Sequence, residues 1–499
     1  MPASSYAPPS IVEVQRRVDA ELDRLAPVLD PLAALFADAG HELALVGGPV
    51  RDAMLGRVVS DLDFATSALP DETERLLKTW SKATWDMGRD FGTIGARAPM
   101  SIGEQGHLDV EITTYRSEAY DPDSRKPVVE YGDHLAGDLG RRDFTVNAMA
   151  VRLAGPRGVA RQVEDPYGGV IDLAHGVLRT PGAPEMSFSD DPLRMMRAAR
   201  FAAQLGFTVD PAVVAAMSDM AGRIEIISAE RVRDELVKLI CAPSPRAGLS
   251  LLVETGIAAI VLPELPALKL ESDEHHRHKD VFEHSLTVLE QAIDLEPRLA
   301  AAGVSEGPDF ISRFAALMHD VGKPRTRRFV EGGVVTFHHH DVVGAKIARK
   351  RMKALRFSND ETDAVCQLIE LHLRFHGYGT GEWTDSAVRR YVRDAGDQLE
   401  RLHILTRADC TTRNRKKAER LARTYDALEE RIGRLAEEEE LGAMRPALNG
   451  DQIMALLGLE PGREVGEAYR FLLELRMDEG VLSEDDAAAR LQAWWGARS

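Results

Sequence analysis

Apolar residues recur along this chain in two rhythms, and the change between them divides it. From 11 to 39, IVEVQRRVDAELDRLAPVLDPLAALFADA, they return every three or four positions, which predicts one or two amphipathic helices. From about 43 to 150 the short runs LALV, DLDFAT, LDVEITTY and TVNAMAV predict strands mixed with helices. After Pro181 helical spacing takes over almost completely, with starts such as Ser228-Ala229-Glu230 and stops such as Gly256. The charged, His-rich ESDEHHRHKD at 271–280 reads as a boundary. A second helical unit runs from there to about 410. The segment AERLARTYDALEERIGRLAEEEELGAM then reads as one long solvent-edged helix, and a terminal helical piece begins near Asn449.

Composition narrows the class. Hydrophobic residues make up 44% and charged residues 28% of 499, as in a soluble globular protein with room for several cores. The formal net charge of −18 provides no global basic field, so any nucleic acid must be held by local Lys/Arg patches. Cys241, Cys366 and Cys410 are far apart and form no CxxC pair, which points to a reducing, cytoplasmic setting. The polar, Pro-rich start MPASSYAPPS is no signal peptide, and no run reaches the ~18 apolar residues of a membrane span.

The first candidate chemistry lies in LVGGPVRDAMLGRVVSDLDFATS, 45–67. Gly47-Gly48 at a strand-to-helix turn permits close approach of backbone to a phosphate, and Arg51 follows one turn into the helix. Asp61 and Asp63 are two apart on a strand, so they share a face. Two carboxylates so close suggest a hard-metal site. Asp109 and Glu111 in HLDVEITTYR also share a face, and either could supply the third carboxylate of a two-metal arrangement. RRDFTVNAMAV places Arg141, Arg142 and Asp143 before a strand-like run. SDDPLRMMRAARF opens a helix, with Asp190 and Asp191 suited to its cap and Pro192 to its first turn. Asp191 and Arg194 are helical neighbours, with Arg197 and Arg200 continuing at steps of three, either as an exposed basic stripe or as a site. A carboxylate that only accepts, beside a guanidinium that only donates, matches the amino-plus-ring-nitrogen edge of cytosine and adenine.

The second constellation is in the helical half. His284 lies on an amphipathic run. His319-Asp320 falls in the last turn of the helix predicted over 311–324. His340 precedes Asp341, His372 sits in QLIELHLRF, and Asp409 lies on the apolar-periodic helix RLHILTRADC. Mixed imidazole and carboxylate groups suit a transition metal better than Mg²⁺ alone. Arg413, Arg415, Lys416 and Lys417 in TTRNRKKAER form either a phosphate-contact patch or an ordinary solvated helix start.

Taken in order, Gly47-Gly48-x-x-Arg51-Asp52, Asp61-x-Asp63, Arg141-Arg142-Asp143 and Asp191-x-x-Arg194 resemble the motifs of class II tRNA nucleotidyltransferases, the CCA-adding enzymes of the DNA polymerase beta-like superfamily. FGTIG at 91–95, YRSEAYDPDSRKP at 115–127 (similar to the family's flexible loop) and ISAERVRDELVKLI at 227–240 agree, so the resemblance covers 43 to about 265. His284, His319-Asp320 and Asp409 resemble the H…HD…D signature of HD-type metal-dependent phosphohydrolases, and His340 and His372 the extra histidines of members with a second metal.

The resemblance implies an α+β nucleotidyltransferase head with a small mixed sheet, an elongated all-α neck and body, an all-α HD domain and a helical tail. The boundaries are 1–40 for the N-terminal helices, 41–155 for the head, 156–270 for the neck and body, 271–410 for the HD domain and 411–499 for the tail. It implies Mg²⁺ on Asp61 and Asp63, the triphosphate on the Gly47-Gly48 turn and Arg51, and nucleotide contact by Arg142. Asp191 and Arg194 would read the base edge, with Arg197 and Arg200 in support. The HD residues would hold Mn²⁺, Ni²⁺ or Fe²⁺ and attack 2′,3′-cyclic or 2′-phosphate ends. The activity implied is template-independent building of the tRNA 3′-CCA from CTP and ATP, with no membrane and no obligatory protein partner. A poly(A) polymerase shares the head motifs. The reading from another class is an HD phosphohydrolase with a head reduced to RNA binding, which would have no need of the metal aspartates.

Overall fold

Leu43–Val46 (β1) is buried at every position, as a strand must be when it is paired on both edges and covered on both faces. In the computed structural model it lies between Leu62–Thr66 (β2) and Ala150–Gly155 (β6), antiparallel to both. The described residues are 11–59, 61–101, 107–119, 128–132, 134–155, 158–270, 280–329, 335–377, 383–411, 415–439 and 445–498. Chain contacts group them into two compact units, one up to Pro263 and one from Glu264 on.

The first unit is built on a seven-stranded mixed sheet. Its other strands are Ala83–Trp85 (β3), Thr93–Ser101 (β4), His107–Thr114 (β5) and Gly158–Glu164 (β7), in the order β3-β4-β5-β2-β1-β6-β7. Only β2 and β5 run parallel; every other pairing is antiparallel. Phe64, Ile112 and Ile94 stand in one row and are fully buried. Because side chains alternate, Asp63, Glu111 and Gly95, each one residue away, share the opposite face. The N-terminal segment forms one helix, Ile11–Asp38, which packs on the sheet with Leu22, Leu25, Leu29, Leu32 and Phe36 buried, although Pro27 and Pro31 lie inside it.

Three local readings need correction. TVNAMAV is not strand throughout: Thr145–Asn147 is a 3-10 turn, and β6 begins only at Ala150. The polar side chains take local partners instead, Thr145 on Asp172 and Asn147 on Asp143 and Arg51. Asp190 closes the helix Pro184–Asp190, and the next helix, Leu193–Leu205, has Pro192 at its cap position. Asp191 still caps the backbone by accepting the Leu193 N–H at 3.1 Å. The helix expected over 311–324 stops at Met318, leaving His319 at its C-cap, and Lys323–Thr326 forms a separate turn.

The second unit is helical. Ser358 and Asn449 begin their helices with capping boxes, and Asp280 and Asp309 each accept a first-turn N–H. The long helix is Arg415–Glu439. The last three helices, from Gly450 to Gly496, enclose a small core of their own around Ile453, Ala468, Leu472 and Leu491. That module is tied to helix Asp385–Ala395: Arg389 donates to the Met477 carbonyl at 2.9 Å, Ser386 to Asp478 at 2.8 Å, and Arg390 pairs with Asp478. Among the described residues no helix is long and apolar enough to cross a membrane.

Candidate active site and metal centre

In the first unit the site forms where β2 and β5 present polar residues on the open face. Asp63 stands directly opposite Glu111, and Asp61 sits in the bend just before β2. Although Asp63 reaches solvent, its carboxyl is pushed up: surrounding protein removes water, Arg142 opposes the shift, and Glu111 and Asp61 add repulsion. Asp109 is differently placed. It faces Arg97 across β4, and that guanidinium grips it at 2.8 and 3.1 Å. Glu111 is therefore the carboxylate beside Asp63.

Gly47 holds the turn between β1 and helix Gly48–Met54 at φ +74, in the left-handed region that favours glycine. A Cβ there would meet Arg142 Nη1 at 2.7 Å, so the missing side chain leaves room for that guanidinium. Arg51 is buried and fixed by Asp52 at 2.8 and 3.0 Å and by Asn147 at 2.7 Å, with its plane over Phe201. Three of its five N–H groups are used there, which leaves two for an anion at the turn.

The expected arginine series is not an exposed stripe. Arg194 is buried, donating to Ser187 Oγ at 2.9 Å and to the Arg141 carbonyl. Arg197 binds Asp143 at 2.7 Å. Arg200 is buried against Glu235 at 2.6 Å and Gln204 at 2.7 Å, stacked on Phe201. Burial alone would raise the Asp143 carboxyl, but Arg197, Asn147 and Arg194 outweigh it and bring it down to about 2. Asp191 and Arg194 are not paired with each other: Asp191 is held by Arg231 at 2.8 Å. Arg141 and Arg142 both reach the buried Asp138.

Asp138, Asn147 and Glu235 are the residues that periodicity reading passes over. Glu235 did carry a signal, a carboxylate on the apolar stripe Val232, Leu236, Leu239 of helix Ala229–Ile240. Asp138 and Asn147 announce themselves only through their partners.

In the second unit five helix ends converge. His319, His372 and Asp409 are the C-cap residues of three helices. His340 opens a fourth, and His284 lies in the first turn of a fifth. Three of these ends are C-termini, whose partial negative charge favours a cation, against two N-termini of opposite sign. The donor atoms form two groups, His284–His319–Asp409 and Asp320–His340–His372, each within 4.8 Å. Asp320 joins them, with Oδ2 3.2 Å from His319 and Oδ1 3.3 Å from His340. Its Oδ2 also lies 2.9 Å from Lys323, a buried lysine unmarked by the sequence pattern.

The histidines are oriented for metal. Nδ1 of His319, His340 and His372 each meets a backbone carbonyl, of Ala316, Phe337 and Ile369, at 2.8, 2.8 and 2.6 Å. Only a protonated Nδ1 can bond a carbonyl, so each Nε2 offers its lone pair inward. Nε2 of His319 and His372 is buried and makes no hydrogen bond. Burial pushes His319 down, but the charges of Asp320 and Asp409 reverse this and hold it at about 10, a demand for positive charge between them. His372 is lowered by burial and by His319 to about 4, which keeps its lone pair available. The donor set fits a divalent metal.

Lys416 and Lys417 are exposed at the start of the long helix; Arg413 and the side chain of Arg415 lie outside the described residues. So do most of the 115–127 loop and of the 271–280 boundary.

Three family models match the chain in sequence. They are the poly A polymerase head domain over 43–179, the probable RNA and SrmB-binding site of polymerase A over 206–268, and the HD domain over 281–414. The A-adding tRNA nucleotidyltransferase of Deinococcus radiodurans is 34% identical over 90% of this chain and 95% of its own. The chain belongs to the tRNA nucleotidyltransferase family. The CC-adding tRNA nucleotidyltransferase of Thermus thermophilus is 33% identical over 91% and 94% of the two chains. The CCA-adding enzyme of Levilactobacillus brevis is 42% identical but matches only 46% of this chain and 53% of its own. In fold, the Bacillus stearothermophilus CCA-adding enzyme in complex with CTP covers 95% of this chain and 98% of its own at TM-score 0.63 and 23% identity. The carboxylate row lies within the nucleotidyltransferase head and the histidine cluster within the HD domain, and both families use divalent metals.

Proposed function

We propose that this nucleotidyltransferase builds and repairs the CCA end of tRNA from CTP and ATP, releasing pyrophosphate, in the cytoplasm. The observation that carries the reading is the in-register Asp63–Glu111 pair beside the Gly47-Gly48 turn and Arg142. The names of the relatives, which add A, CC or CCA to tRNA, support it. Asp61, Asp63 and Glu111 are all-oxygen donors suited to Mg²⁺, which when bound activates the 3′-hydroxyl and neutralises the leaving pyrophosphate. Arg51 binds the triphosphate through its two remaining N–H groups, and Arg142 places positive charge between that turn and Asp63. Asp191 and Arg194 read the base edge once the nucleotide draws them from Arg231 and Ser187. Arg197 and Arg200, clamped by Asp143 and Glu235, hold the recognition helix against the head. Positioning and charge neutralisation suffice for such a transfer.

The test is extension of tRNA transcripts lacking CCA, CA or A, with CTP, ATP, both, GTP or UTP, beside an unrelated RNA. Addition of C, C and A followed by arrest is expected. A only, or CC only, would assign one of the narrower specificities. Long A-tails on every RNA would replace the reading by poly(A) polymerase.

For the second unit the reading is a working phosphohydrolase site with Mn²⁺, Ni²⁺ or Fe²⁺ on His284, His319, Asp320 and Asp409, and a second ion on Asp320, His340 and His372. The inward Nε2 lone pairs support it. Release of phosphate from 2′-phosphate ends, or opening of 2′,3′-cyclic phosphate ends to the monoester, by metal-loaded protein tests it, and absence of both reactions would leave a purely structural cluster.

A further inference from the structure

The row of the sheet that holds the catalytic carboxylates continues to the edge strand. Asp63 of β2 faces Glu111 of β5, Glu111 faces Gly95 of β4, and Gly95 faces Trp85 of β3. Directly opposed residues project to the same side, so Trp85 shares the open face with Asp63 and Glu111. Gly95 has no side chain, and the indole takes its place: a Cβ built there would lie 1.9 Å from Trp85 Nε1 and 2.3 Å from Cε2. The ring therefore reaches from β3 over β4, toward the strand of Glu111, with neighbouring strands about 4.8 Å apart. Gly95 is buried beneath it, while Trp85 itself remains half-exposed. The chain leaving β3 adds exposed apolar side chains, Met87 at 90% and Phe91 at 52%.

The side of the sheet matters. The Gly47 turn and Arg51 lie on the β1 side of Asp63, and Trp85 lies on the other, the β5-β4-β3 side. In-line transfer places the attacking hydroxyl opposite the leaving pyrophosphate. With the triphosphate at the Gly47 turn, the RNA 3′ end must approach from the side of Trp85. We propose that Trp85 is a stacking platform for the nucleobase of the acceptor RNA's 3′-terminal nucleotide, positioning its hydroxyl beside the Asp63–Glu111 pair. A flat aromatic face accepts either C or A, as an end that changes identity at each addition requires. This rests on the nucleotidyl-transfer reading above.

A mere cover for Gly95 would need bulk and apolarity but not a π-face, so the variants Trp85→Phe and Trp85→Leu separate the two roles. Steady-state extension of a tRNA transcript lacking only the terminal A is measured with tRNA varied and then with ATP varied, alongside thermal melts. Trp85→Leu is expected to raise the KM for tRNA about tenfold with the KM for ATP unchanged, and Trp85→Phe to stay near wild type. Equal losses in both variants, a change confined to ATP, or no change in the KM for tRNA would overturn the proposal. A second measurement needs no variant: a transcript ending in 2-aminopurine is expected to lose fluorescence on binding the wild-type protein, and unaltered emission would overturn stacking. Absence of extension by wild type would instead remove the underlying reaction, with the 2-aminopurine result still reporting on the platform.

Discussion

Glu111 and Asp109 are alike in type, strand and face, and differ in what stands opposite. Asp109 meets Arg97, while Glu111 meets Asp63 on one side and a glycine on the other. Glu111→Gln is therefore expected to lower kcat of nucleotide addition at least about 100-fold, and Asp109→Asn to leave it within a few-fold. Equal losses would move the third ligand. Asp191→Ala is expected to blur selection among the four nucleotides, because the acceptor matched to an amino group is removed. Unchanged selectivity in a competition assay would end the edge-matching argument.

At the scale of elements, buried charge pairs lock helices to one another and to the turn beside the site. Glu235 on helix Ala229–Ile240 neutralises Arg200 on helix Leu193–Leu205, and Asp143 before the 3-10 turn holds Arg197. Glu235→Gln leaves the buried Arg200 without its counter-charge and is expected to cost about 3 kcal/mol, read as a lower urea midpoint. His403 in helix Leu399–Ala408 adds a pH dependence. Burial, helped by Arg407 and Arg298 against Glu429, lowers it to about 4. A histidine held below its unfolded value of 6.5 contributes stability that is present above 6.5 and is lost as pH falls toward 4. Between pH 7 and pH 5 that amounts to about 2 kcal/mol. His403→Gln is expected to flatten this dependence in denaturant titrations, and an unchanged slope would assign it to other groups.

At the scale of the molecule, the carboxylate row and the histidine cluster lie in different compact units, and among the described residues none belongs to both. Asp61→Ala is expected to abolish nucleotide addition with metal uptake by the histidine cluster intact. His319→Ala is expected to do the reverse, as read by bound-metal analysis beside tRNA extension. Loss of both functions in either variant would contradict separate sites.

The sequence by itself determined what depends on a few neighbouring residues. Alternation put Asp109 with Glu111, and the short Asp-x-Asp spacing kept Asp61 near Asp63 although Asp61 lies in the bend before the strand and not on it. Helical spacing put Arg194, Arg197 and Arg200 in line, and His319 beside Asp320 was visible as a motif. Which groups then meet was decided by long-range packing. The pairing of β2 with β5 in one register, the five helix ends around Asp320, the clamp of Glu235 on Arg200 and the indole of Trp85 over Gly95 all join residues far apart in the chain. Periodicity is a property of backbone geometry over one or two turns. Register and convergence are set by burying the apolar face of the whole sheet and bundle at once, and a slip of one residue would turn Asp63 and Glu111 away from each other.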